Sequence, residues 1–214
     1  YYECRGERVR DFFAEEARAN HCYIAYCAYR SAGDGSWRNC MELIGRNGEC
    51  AGTYNKNYPV PEETLLGRLR AGREAHVLET DFGKVAMVIC FDLNFVELLE
   101  KYREQQPDLI LFSSVYHGGL MQKVWASRCD AYFIGAVCDD ECSVVNPLGE
   151  TVALSSNYFS HVTAALNLDY QVLHLDGNRK KLEAAKLRYG RDITVFDPGH
   201  LGRVLLTSRH PERS

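Results

Sequence analysis

The sequence predicts a mixed α/β domain. Residues 85–89 form an unbroken apolar run of the kind that fills a strand buried on both faces. Residues 7–20 place Val9, Phe12, Phe13 and Ala17 at helical spacing, opposite a polar face. Asn47-Gly48 lies between two apolar runs, the strongest short-range hairpin signal. A helix that feeds a strand and then a hairpin belongs to an α/β domain rather than to a bundle.

In chain order, the helix over 7–20 is followed by a strand over 21–29, where short apolar and aromatic residues alternate. Residues 31–35 are turn-rich. A strand over 41–44 then pairs through the Asn47-Gly48 turn with one over 50–56. Two prolines and two glycines make 58–72 a loop, and 76–80 is a short strand. After the central strand, Asn94 with Glu97 three residues later reads as the start of a helix over 94–105, a neutral variant of the capping box. Buried strands follow over 109–113 and 131–137, separated by a helix over 121–129. Residues 114–119 form a loop at the C-terminal end of a strand, where ligands sit in open α/β sheets. Strands over 142–145 and 151–154 form a hairpin about Asn146-Pro147-Leu148-Gly149. Alternation over 161–168 predicts one more strand, and 176–188 is a charged amphipathic helix. Residues 193–214 show little periodicity.

A chain of 214 residues suffices for one sizeable core. The expected organisation is a single domain over 1–190 with a C-terminal tail or interface arm over 191–214. Charge is balanced, with 25 basic and 29 acidic side chains, so no polyanion partner is indicated. There is no basic-aromatic stripe for nucleic acid and no Gly-rich phosphate loop. No apolar stretch approaches the roughly 18 residues of a membrane span. Nine cysteines, odd in number and irregularly spaced, follow no secretory signal and read as reduced thiols of a cytoplasmic protein. The chain opens on Tyr1-Tyr2-Glu3-Cys4 without Met and soon enters its first helix, which suggests a cut into a longer protein.

Cys90 stands where the central strand gives way to a helix. A thiol at such a corner has backbone N–H groups nearby and suits a nucleophile. The bland alternative is a small core thiol. Cys138 and Cys142, with three acidic residues between them, could hold a metal, but no second Cys or His pair follows at a useful distance.

Three segments combine. The first is Gly52-Thr53-Tyr54-Asn55-Lys56-Asn57-Tyr58-Pro59, with Glu63 seven residues after Lys56. The second is Glu79-Thr80-Asp81-Phe82-Gly83 running into Val88-Ile89-Cys90-Phe91-Asp92. The third comprises Ser113-Ser114, residues 125–132 and Asn146-Pro147-Leu148-Gly149-Glu150. Their order and spacing resemble the carbon–nitrogen hydrolase (nitrilase) superfamily, over roughly residues 6–188.

The resemblance implies a four-layer αββα sandwich whose subunits pair as homodimers or higher homo-oligomers. It implies hydrolysis of a small amide, N-carbamoyl compound or nitrile by a Glu-Lys-Cys triad, with no cofactor. Carried over by position, Cys90 matches the nucleophile, Lys56 the lysine, and Glu63 a second, structural glutamate. A thiolate attack gives a covalent thioester or thioimidate. A fixed cation and the N–H of Phe91 would stabilise the oxyanion. Tyr116 and His117 lie on the loop expected to face substrate. Asp92 reads as structural, and Arg128 and Asp130 as close neighbours of the site. The triad's first glutamate should end a strand before the helix that starts near Gly6. Glu3 lacks that setting and is not assigned the role. The expectation is that an N-terminal β-α-β portion is missing and that this chain is inactive alone. The competing reading is a catalytically silent scaffold that kept Lys56 and Cys90 by descent.

Overall fold

The computed structural model describes residues 6–65, 67 and 69–209. Glu3 lies outside them. The fold is mixed α/β. Helix α1 (Arg8–Asn20) leads into strands β1 (Ile24–Ser31), β2 (Trp37–Ile44) and β3 (Cys50–Asn55), an antiparallel sheet in the order β1-β2-β3. The period-2 alternation of β2 divides its side chains between two environments. Cys40 and Ile44 join Ala14 and Ala17 of α1, whereas Met41 and Leu43 join the main core. Phe12, placed on the apolar face by spacing, is exposed. Phe13 instead covers Tyr26, with ring centroids 4.7 Å apart.

The second sheet has six strands in the order β4-β5-β6-β7-β8-β9. They are β4 (Leu78–Thr80), β5 (Gly83–Ile89), β6 (Leu109–Ser114), β7 (Tyr132–Val137), β8 (Ser143–Val145) and β9 (Thr151–Leu154). β5, β6 and β7 are parallel, and the others pair antiparallel. All five residues from Val85 to Ile89 are buried, as a central strand covered on both faces requires. Helices α3 (Val96–Gln105) and α4 (Leu120–Cys129) contribute Leu98, Leu99, Tyr102, Trp125 and Ala126 to the same core. The Tyr102 hydroxyl donates to the Met87 carbonyl at 2.7 Å, so this large aromatic is buried without an orphaned polar atom.

Several expectations shift. Within the predicted loop over 58–72, Pro61–Leu65 forms a short helix, α2. Asn94 does not cap α3. A 3₁₀ turn spans Cys90–Asn94, α3 starts at Val96 behind Phe95, and the Asn94 amide donates to the Phe91 carbonyl and the Tyr116 hydroxyl instead. Residues 161–168 alternate but pair with no strand. The strand lies later, as β10 (Tyr170–His174). Helix α5 runs from Arg179 to Tyr189. In the terminal stretch without clear periodicity, β11 (Ile193–Phe196) and β12 (Arg203–Ser208) form a third sheet in the order β10-β12-β11. Tyr170 anchors this sheet: its hydroxyl donates to the Asp130 carbonyl at 2.8 Å, and its ring meets Tyr132 edge-on.

Candidate active site

Strand β5 ends at Ile89, and the chain turns sharply. Cys90 takes φ +52°, the left-handed region that a non-glycine residue enters at a cost of roughly 1–2 kcal/mol. The corner is held from below by Asp92. This fully buried carboxylate accepts hydrogen bonds from the Tyr54 hydroxyl (2.7 Å), the Tyr58 N–H (2.8 Å) and the Ile89 N–H (3.2 Å). Burial pushes Asp92 up to about 6, against the pull of those donors. Asp92 therefore ties the turn to β3 and the loop after it, the structural role its sequence position suggests. The Trp125 indole donates to the Leu93 carbonyl at 3.0 Å and fixes the same turn to α4.

Lys56 follows β3, with its N–H bonded to the Asn39 carbonyl at 2.8 Å. It is 3% exposed, and its Nζ lies 2.7 Å from Glu63 Oε2. Glu63 sits in α2, where Pro61 opens the helix at the position a proline tolerates best. Its carboxylate also accepts from the Asn39 amide (2.7 Å) and the Val60 N–H (2.8 Å). Burial alone would raise Glu63, but these three hydrogen bonds and the lysine charge outweigh it and hold the carboxyl below its usual range.

Cys90, Lys56 and Glu63 line one cavity of about 650 Å³ together with Cys27, Asn39, Val60, Ser113, Ser114 and Cys138. Cys27 is exposed on β1, yet protein crowds its sulfur enough to push the thiol up to about 11, with Ser113 and Lys56 opposing the shift. Phe91, the residue after the cysteine, is partly exposed and packs edge-on against Phe95. Tyr116 does not line the cavity; burial and then the nearby Cys90 raise it, and Asn94 donates to its hydroxyl at 3.1 Å. His117 is turned to its own loop: Nδ1 accepts from the Gly119 N–H at 3.1 Å, and buried Nε2 has no partner among the described residues. It does not line the cavity.

Arg128 and Asp130 stand elsewhere, paired with Glu100 and Arg203 respectively. Cys138 and Cys142 diverge. Cys138 lines the cavity, while Cys142 Sγ lies against the backbone of Val137. Among the described residues, no group of three or more His, Cys, Asp or Glu could hold a metal ion. No helix among them is long and apolar enough to cross a membrane. Sequence reasoning missed Cys27 and Asn39. Each sits on a strand where only the cross-sheet arrangement separates a cavity-lining residue from its neighbours.

The family model for carbon-nitrogen hydrolases matches residues 4–170. The omega-amidase NIT2 of Danio rerio is 24% identical over 181 residues, covering 73% of this chain and 65% of that protein. Among solved structures, Nit3 of Saccharomyces cerevisiae, a nitrilase-superfamily member, superposes with a TM-score of 0.64 at 16% identity, over 72% of this chain and 63% of that one. A carbon-nitrogen hydrolase from Helicobacter pylori gives a TM-score of 0.70 at 15% identity, over 88% and 73% of the two chains. An amidase from Nesterenkonia sp. gives 0.63 at 18% identity, over 73% and 64%. The chain thus spans less than two thirds of the length of its NIT2 relative, and the structural likenesses establish the fold.

Proposed function

The chain belongs to the carbon–nitrogen hydrolase family, and on that premise we propose that it carries the cysteine centre of an amidase-type enzyme. Cys90 is the nucleophile in this reading. Its sulfur attacks the carbonyl carbon of a small amide, the C–N bond breaks, the amine leaves with a proton, and water releases the acid from the thioester. Lys56 and the Phe91 N–H stabilise the oxyanion. Glu63, whose oxygens already carry three hydrogen bonds, positions Lys56 rather than taking the proton. Tyr116 contacts substrate, and His117 shapes the loop that bears it. N-carbamoyl compounds and nitriles fit the same chemistry.

The observation that carries this reading is a strained cysteine sharing a cavity with a buried Lys–Glu pair. The remaining proposals follow from the family. α1, the β1–β3 sheet, the six-stranded sheet, and α3 with α4 are read as the layers of an αββα sandwich. Residues 1–190 are read as the hydrolase domain and 191–214 as a terminal arm, within a cytoplasmic homodimer.

The test is brief iodoacetamide treatment with intact-mass and peptide mapping, beside ammonia release from simple amides, on this chain and on one extended upstream to a Met. Preferential labelling of Cys90, with hydrolysis lost in Cys90→Ala, supports the enzyme. Labelling of Cys90 no faster than the other thiols leaves the silent scaffold as the better reading.

A further inference from the structure

A second cleft lies behind the Lys56–Glu63 pair. Asn39 and Lys56 line the catalytic cavity, whereas their chain neighbours Arg38 and Asn55 line this other space of about 450 Å³. Its rim is the loop over 70–76, clamped onto β2 and β3. The Arg70 N–H donates to the Trp37 carbonyl at 2.9 Å, and the Gly72 N–H donates to the Lys56 carbonyl at 2.8 Å. The fit is so close that a Cβ on Gly72 would fall 2.2 Å from the Asn55 carbonyl oxygen. A loop seated this firmly presents Arg70 and Arg73 from fixed backbone positions, and Arg38 joins them from β2.

Three guanidinium groups therefore line one cleft. Among the described residues, the one carboxylate lining it, Glu74, is 2.9 Å from His76, and Asp34 reaches Arg70 only at 3.6 Å from outside. Arg38 is anchored through one nitrogen, Nη1, to the Ser36 hydroxyl at 2.7 Å. A five-donor fork anchored at one nitrogen retains donors for a ligand. Leu78, half-buried, also lines the cleft and offers an apolar surface beside the cations.

We propose that this cleft binds a small phosphorylated molecule, with its phosphoryl oxygens on Arg38, Arg70 and Arg73 and its carbon portion on Leu78. A doubly charged oxyanion matches several guanidinium groups better than a single charge does, and Arg forks bind phosphoryl oxygens two at a time. The assignment is independent of the chemistry at Cys90.

The experiment uses inorganic pyrophosphate as probe, by calorimetry and thermal shift on the whole chain, with sulfate at matched ionic strength as control. The expected result is saturable pyrophosphate binding that raises the melting temperature. Affinity falls about tenfold or more in Arg38→Gln/Arg73→Gln and is unchanged in Cys90→Ala. Arg73→Gln alone, on an exposed loop, gives a weaker loss and serves if the double variant misfolds. Three results would overturn the proposal: no saturable binding, an equal response to sulfate, or binding that the arginine substitutions leave intact.

Discussion

Glu63 and Asp92 are near-twins in geometry and opposites in electrostatics. Each carboxylate stands beside the Cys90 corner and accepts three hydrogen bonds. Yet Glu63 is held below its usual range, while Asp92 is pushed up to about 6. The difference lies in the donors. One of Glu63's three is an ammonium 2.7 Å away, whereas Asp92 receives only neutral hydroxyl and amide N–H groups and is more deeply buried. Neutral hydrogen bonds suffice to hold a turn, but a full charge is needed to offset burial. The site thus places its ionised pair where a reaction would need a cation, and uses a carboxylate held by neutral donors as a brace.

Removing the cation is the most damaging way to break this contrast. Lys56→Met leaves Glu63 buried without its counter-charge, and urea denaturation should show a loss of about 3–5 kcal/mol. Next in size is a pH effect at Asp92. Between its ordinary value of 3.8 and about 6, the unfolded chain releases this proton while the folded chain keeps it, so the Asp92 contribution to stability falls as pH rises. The drop is roughly 3 kcal/mol by the shift involved, and Asp92→Asn should flatten that part of the stability profile. Glu63 has the opposite sign: its contribution is present above its ordinary value of 4.5 and is lost as pH falls through the lowered folded value. Glu63→Gln should therefore blunt acid destabilisation. Equal slopes in the two variants would abolish the distinction between brace and ion pair.

A smaller effect separates the corner's backbone from its chemistry. Cys90→Gly should be more stable than Cys90→Ala by about 1 kcal/mol, because only glycine occupies a left-handed φ without strain. Both variants should lack hydrolysis. The smallest effect is at the surface. Arg46 and Asp81 meet at 2.9 Å, close to the Lys56–Glu63 spacing, but in solvent. Asp81→Asn should leave the melting temperature unchanged within error, since exposed ion pairs contribute little.

The corner at Cys90 was legible because five consecutive buried residues leave a pattern that only a doubly covered strand produces. The Lys56–Glu63 pair was legible through the motif, although Pro61 followed by two acids already announces a helix start, and the segment reads as loop only if that signal is passed over. Other features depend on partners distant in sequence. The alternation over 161–168 is as regular as that of a strand, yet it pairs with none of the described strands. β11 and β12 are short and half-exposed, and β12 pairs with both β10 and β11. Asn94 has every local reason to cap α3, and the nearby Tyr116 hydroxyl engages it instead. Cys27 and Asn39 belong to the cavity because strands of two sheets line it together, which no local pattern encodes.

The sequence holds two tryptophans, and Trp125 is fully buried with its indole tied to the turn that begins at Cys90. An indole in dry surroundings emits at shorter wavelength than a hydrated one. With Trp37→Phe removing the second emitter, the chain carries an optical gauge wired to the Cys90 corner. A shift of that emission to the red, ahead of any loss of helical circular dichroism, would mark the moment the corner loosens while the sheets still stand.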